Sequence, residues 1–256
     1  MKQETKKQEV QVLSTTALAV VPAHLDQSWD EVSDVEAADI RIPRLLLMQS
    51  TSELVGQRKA AAGDIVNSIT GEKVGDETNP LEIVPIYTFK TWVVSEKVNG
   101  KFEFKRVDQY VAGQKRNREE VIGGVEVQNA ETINVLVMLN KDQENTSALP
   151  YLMSFRMTSL NCGKDILTQK MHAINMNTPF QKFVLKLAPF YTKNDKGQYF
   201  VFKFQGKAEN TLFASSAALL RKWYDTFKAG SVKVDEEVTE AESTSAPLGA
   251  ATGERF

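Results

Sequence analysis

Four stretches of the later chain alternate their side chains with a period of two, and one stretch at helical spacing falls between the second and third of them. In residues 131–140, Ile133, Val135, Val137 and Leu139 face one way and Asn134, Leu136 and Met138 the other. Residues 150–159 set Tyr151, Met153, Phe155 and Met157 against Leu152, Ser154, Arg156 and Thr158. Residues 180–190 set Phe183, Leu185 and Leu187 against Lys182, Val184 and Lys186, and residues 199–205 set Phe200, Phe202 and Phe204 against Tyr199, Val201 and Lys203. Each pattern is that of a strand with one buried face. Between them, Leu167, Met171 and Ile174 recur at helical spacing within residues 164–175. Upstream, residues 81–95 are apolar at nearly every position, which suits a central strand with Pro85 at an edge or a bulge.

The order is therefore strand, insertion, strand, strand, helix, strand, strand. A mainly β protein follows, with a five-stranded barrel carrying a helix between its third and fourth strands, which is the OB arrangement. Residues 96–128 are expected to be a hairpin arm inserted between the first two barrel strands, because Asn99-Gly100 lies between two β-prone runs. The stretch 113–124 reads as its mobile, charged tip. Extra N-terminal strands come from residues 40–49 and from residues 64–69, the latter closed by a Thr70-Gly71 turn. A second helix follows Asn210, with Leu212, Leu219, Leu220, Trp223 and Phe227 on one stripe. Residues 1–39 and 231–256 have the polar, acidic composition of disordered tails flanking a domain at 40–230.

The formal charge of −2 conceals an uneven distribution. Residues 141–230 carry 13 basic and 6 acidic side chains, whereas both ends are acidic. A polyanionic partner for the later half follows, with a solvated lysine surface as the plain alternative. The single Cys162 and the two histidines, His24 and His172, exclude an intramolecular disulfide and speak against a zinc site. Asp64, Glu72, Asp76 and Glu77 read as turn acids rather than metal ligands. No GxxxxGK[ST] loop or nucleophile–base set is arguable, so neither enzyme chemistry nor a cofactor is expected. No apolar run is long enough to span a membrane, and Ala17–Val21 is too short for a signal core, so a cytoplasmic setting is expected.

Eleven of the chain's 22 aromatic residues fall in residues 151–213, interleaved with cations. Rings that stack on bases and cations that meet phosphates are the means by which a small β scaffold grips a single strand. Placed on the expected fold, the arm offers Lys105, Arg106, Arg116 and Arg118, with Lys90 and Trp92 at its base. The ring of Trp92 suits either a stacking platform or barrel packing. The loop joining the last two strands brings Lys193 and Lys196, preceded by Phe190 and Tyr191. Lys182 and Lys186 suit phosphates or water equally, and Tyr199 and Lys203 suit contact or an ordinary exposed strand face. These rings and cations are expected to line a single groove.

The segments IPRLLLMQ, GDIVNSITGEKVG followed by LEIVPI, SFRMTSLNCGK, and TPFQKF with NDKGQYFVF resemble phage-encoded single-stranded DNA-binding proteins of OB-fold type, over about residues 40–210. The resemblance implies a non-catalytic protein that coats single-stranded DNA in replication, recombination and repair, within the host cytoplasm. It also implies contacts from Ser154, Arg156, Thr158, Lys164 and the Asn194–Gly197 turn. Such proteins often end in an acidic tail whose last residue is a phenylalanine that recruits partner enzymes. Phe256 ends an acidic stretch here, but Gly253-Glu254-Arg255 before it departs from that pattern. The other readings are a strand-annealing recombinase, in which oligomers pair complementary strands, a phage nuclease, or a scaffold protein.

Overall fold

Two-residue turns with both central residues at positive φ join strands without splaying them, because their twist matches that of the strands. Asn99-Gly100, at φ 51° and 81°, makes such a turn in a computed structural model of the protein. The structure describes residues 41–194 and 197–229, and the two acidic tails lie outside the described residues. Around the Asn99-Gly100 turn, β4 (Leu81–Val98) folds back on β5 (Lys101–Gln109). A second turn at Gly123-Gly124, at φ 59° and 86°, joins β6 (Glu119–Ile122) to β7 (Val125–Leu139). The arm is thus a four-stranded antiparallel sheet in the order β5-β4-β7-β6. The stretch 113–124, expected as a loose tip, contains β6. Its apparent looseness in sequence came from glycines that serve the turn.

The long strands β4 and β7 run from the arm into the body. There they join β8 (Tyr151–Arg156), β9 (Phe183–Asn194) and β10 (Gly197–Glu209) in the order β8-β7-β4-β9-β10. All pairs are antiparallel and the sheet curls into a half-barrel. The register of β4 on β7 slips between Pro85 and Tyr87, so Pro85, which cannot donate to a ladder, sits at a bulge. Helix α2 (Leu160–Asn175) separates β8 from β9 in sequence, as the alternation required.

The inward face of the half-barrel carries Ile133, Val135, Val137, Met153, Phe155, Leu185, Leu187 and Phe202, packed against Cys162, Ile166 and Ala173 of α2. Contact there is close enough to need a glycine. A Cβ at Gly163 would stand 2.8 Å from Phe155 Cβ and 3.1 Å from Ile133 Cβ. The outward face has its own apolar cluster. Val84, Ile86, Leu136, Met138 and Leu152 meet Leu220 and Trp223 of α3 (Phe213–Lys228). Tyr87 and Phe89 extend it by ring contacts with Tyr224 and Phe227.

Before α3, the Asn210 side chain does not occupy the cap position, which Leu212 holds without a side-chain bond. Asn210 instead accepts from the Leu212 backbone N–H and exchanges two hydrogen bonds with buried Gln143, at 2.7 and 3.1 Å. Both buried amides are thereby satisfied.

The N-terminal strands form a separate three-stranded antiparallel sheet, β1 (Leu45–Leu47), β2 (Ile65–Asn67) and β3 (Lys73–Gly75), with a four-residue helix α1 (Glu53–Gly56) between the first two. This segment touches both β8 and β10, which do not pair with each other. Pro43 O accepts from Leu152 N on the β8 side. On the other side, the Gln49 side chain accepts from Phe200 N at 2.8 Å and donates to Phe200 O at 3.1 Å. One side-chain amide so replaces a strand partner on the free edge of β10.

Two of the four acids read as turn acids, Asp64 and Asp76, accept from their own turns, Asp64 from Ala61 N. Asp76 accepts from Thr78 and Asn79, and Lys73 bridges Asp76 and Asp64 at 2.6 and 2.8 Å. Among the described residues no group of three or more His, Cys, Asp or Glu side chains comes together as a metal site, and no helix is long and apolar enough to cross a membrane.

Candidate nucleic-acid interface

The pairing of β4 with β9 covers only Leu81–Ile83 against Leu185–Leu187. Beyond Leu187, β9 and β10 continue together to the Asn194–Gly197 connection as a two-stranded ribbon. Side chains of such a ribbon alternate between two faces, and directly paired residues share a face. Ala188 pairs with Lys203, Phe190 with Val201, and Thr192 with Tyr199, so one face of the ribbon carries Phe190, Tyr199 and Lys203, and Lys186 has the same parity just before it, where β9 still pairs with Glu82 of β4. The opposite face carries Tyr191, Lys193 and Phe200 and runs down into the core at Phe202.

Two rings on this ribbon stand in solvent. Phe190 is 47% exposed and Tyr191 is 45% exposed. Lys203 Nζ lies 4.6 Å from the Phe190 ring centroid, close enough for a cation–π contact. Tyr191 meets Phe200 edge-on with centroids 5.5 Å apart. Phe200 in turn lies so close to Gly63, at φ 92°, that a Cβ there would come within 2.8 Å of its ring. That packing fixes the ring pair on the inner side and leaves Phe190 as the freer ring. Among the described residues, Lys186, Lys193 and Lys203 make no ion pair. The ribbon therefore holds exposed rings beside cations that form no ion pair with a carboxylate among the described residues.

The arm is different. Lys90 pairs with Glu131 at 2.6 Å, Lys97 with Glu126 at 2.7 Å and Lys105 with Glu96 at 3.3 Å. Asp108 takes both Arg106, at 2.9 Å, and Arg116, at 2.6 Å. Burial alone would raise the Asp108 carboxyl, but the hydrogen bonds from Arg116 and Arg106 outweigh it and hold the group below the usual carboxylate range. Trp92 is 7% exposed, stacked on Tyr110 with the Arg116 guanidinium 5.7 Å from its ring and Lys90 over Tyr110. Of its two sequence readings, the packed one describes its place, because the chain after β5 returns across the arm and covers it. Arg118 is exposed, and its backbone carbonyl accepts from Asn129 N.

The other expected contacts lie elsewhere. Ser154 donates to Asn134, which donates to Thr91, in a chain of 2.8 and 2.9 Å across β8, β7 and β4. Arg156 shares that face, since it alternates with Phe155, and Phe155 points toward α2. Lys164 is exposed on α2 itself. Arg156 and Lys164 thus sit on opposite sides of the β7–β8 sheet, and the single groove expected for them is not formed. Strand parity places Arg156 correctly, but which face the helix covers is a tertiary fact. Thr158 lies exposed in the single turn of 3-10 helix between β8 and α2. Lys182 is exposed with its Nζ 5.7 Å from the Phe213 ring, near the start of α3. Lys196 and Phe256 lie outside the described residues.

Phe190 belongs in the candidate interface more firmly than the sequence reading placed it. Strand parity alone could not have singled it out, because Val184 and Ala188 share its parity and are buried, while Tyr191 of the opposite parity is as exposed; what exposes both rings is that β9 has left β4 by that point. Cys162 is no reactive thiol. Burial, followed by the charge of Asp165, pushes its pKa up to about 12 despite a hydrogen bond with the Phe204 backbone.

A family model described as Pam3 phage gp34-like protein matches residues 13–233, and the chain belongs to that family of phage proteins. No curated protein and no solved structure matches the chain.

Proposed function

We propose that this member of the Pam3 phage gp34-like family is a non-catalytic single-stranded DNA-binding protein, which covers unpaired DNA during phage replication and recombination. The observation that carries the reading is the β9–β10 ribbon, where the 47%-exposed Phe190 ring lies beside Lys203, with Tyr199 on the same face and Lys186 just before it. An unpaired strand offers base faces for the ring and phosphates for the ammonium groups, whereas a duplex hides its bases. The order β8-β7-β4-β9-β10, with a helix between β8 and β9, supports the reading by analogy with small β scaffolds that bind oligonucleotides.

The arm serves as a rigid extension in this reading, since its cations are largely spent on its own carboxylates. Titration with an unpaired oligothymidylate and with a duplex of equal length, at two salt concentrations, tests it. The strand should bind more tightly than the duplex, and its affinity should fall with salt at a slope of about 0.7 per phosphate contacted. Equal affinity for both, or none for either, rejects the proposal.

A further inference from the structure

Four non-glycine residues among those described have positive φ, and three have a local reason for it. Asn99 belongs to the arm turn. Arg58 and Asn177 follow the C-caps of α1 and α2, where Arg58 N bonds Val55 O and Lys59 N bonds Leu54 O, and Asn177 N bonds Ile174 O and Thr178 N bonds Ala173 O. These paired bonds are those of a helix terminating in a left-handed residue. The fourth, Met157 at φ 47°, has no such bond pattern. It opens the 3-10 turn that leads from β8 into α2. Glycine or asparagine makes a left-handed bend at little cost, while a longer side chain pays steric strain.

Nor does burial compensate fully, because Met157 is 46% exposed. Its neighbours are Arg156 and the exposed Thr158, and its turn also approaches β10, the strand that carries Lys203. Backbone strain clusters at binding sites, so an exposed apolar side chain carried on a strained turn marks a candidate contact, whereas exposure alone would not.

We infer that Met157 is a contact residue for nucleic acid, an apolar wedge set against an unpaired base, with the adjoining turn serving as its mount. Apolar side chains, methionine among them, are wedged between base steps by proteins that kink a duplex, and an unpaired base offers the same apolar face without the cost of unstacking a duplex. The inference rests on the single-strand reading above and adds a second contact point to it, separate from the ribbon.

The test compares wild type, Met157→Gly and Met157→Leu by oligothymidylate titration and by thermal denaturation. Met157→Gly removes the side chain and relieves the bend, so its midpoint should equal or exceed that of wild type while its Kd rises about tenfold, a stacking-sized loss. Met157→Leu keeps an apolar side chain and should bind within about threefold of wild type, on the tolerance of volume-conserving apolar swaps. If Met157→Gly binds like wild type, or loses thermal stability in step with affinity, Met157 is structural and the inference fails. If wild type itself ignores the strand, the single-strand reading fails and takes this inference with it.

Discussion

Replacing Phe190 with alanine separates binding from folding, because the ring is half in water. Full burial of a phenylalanine stabilises a fold by about 1.5–3 kcal/mol. A ring 47% exposed returns roughly half of that, with a further ~0.5–1 kcal/mol from the Lys203 ammonium 4.6 Å away. The variant should therefore remain folded. Stacking on a base is worth about 1–3 kcal/mol, and about 1.4 kcal/mol is a factor of ten, so Kd for oligothymidylate should rise roughly 5- to 150-fold. The paired variant Lys203→Gln has a different signature. It should lower the slope of log K against log salt by about 0.7, whereas Phe190→Ala should leave the slope unchanged. Fluorescence titrations at four salt concentrations give both quantities for each variant. A folded Phe190→Ala protein that binds within twofold of wild type refutes the reasoning, and so does a Lys203→Gln slope identical to the original.

Gly163→Ala should lower thermal stability by about 1–3 kcal/mol as an overpacked contact, because the new methyl would press on Phe155 Cβ and Ile133 Cβ; differential scanning calorimetry reads the loss. Cys162 should resist a thiol-specific reagent at pH 8 in the native protein and react fully once unfolded, since its thiol is buried and its pKa is pushed up to about 12. Asp108 is held below its ordinary value of 3.8, so its support of the arm is complete above that value and lost as pH falls through the depressed one. Acidification through that depressed value, below the ordinary carboxylate range, should accordingly free Arg116 from Asp108 and change Trp92 emission, a transition that Asp108→Asn should lack.

Much of the fold is legible because strand parity is a local property. Ile133, Phe155, Leu187 and Phe202 announce the buried faces of β7, β8, β9 and β10, and Pro85 announces the bulge in β4. Asn99-Gly100 names its hairpin, while Gly123-Gly124 was read as looseness although it makes the same turn. The site is less legible. Charge counts cannot tell a cation that is spent from one that is available. Seven cations between residues 96 and 128 suggest a binding arm, yet Glu96 and Glu126 pair with two of them across the strands, and Asp108 takes two more, Arg106 from its own strand and Arg116 from the loop after it. Nor does sequence say which sheet face a helix will cover. That choice packed Tyr87 and Phe89 against α3 and separated Arg156 from Lys164. Met157 looked like one more strand residue, and only its backbone angle distinguishes it.

Ultraviolet cross-linking of the full chain to oligothymidylate, with the adducts located by mass spectrometry, reports directly which side chains meet the bases. Adducts should concentrate between Phe190 and Lys203, on the ribbon of β9 and β10. Adducts confined to the arm between Lys101 and Glu126, with the ribbon unmodified, would contradict the account.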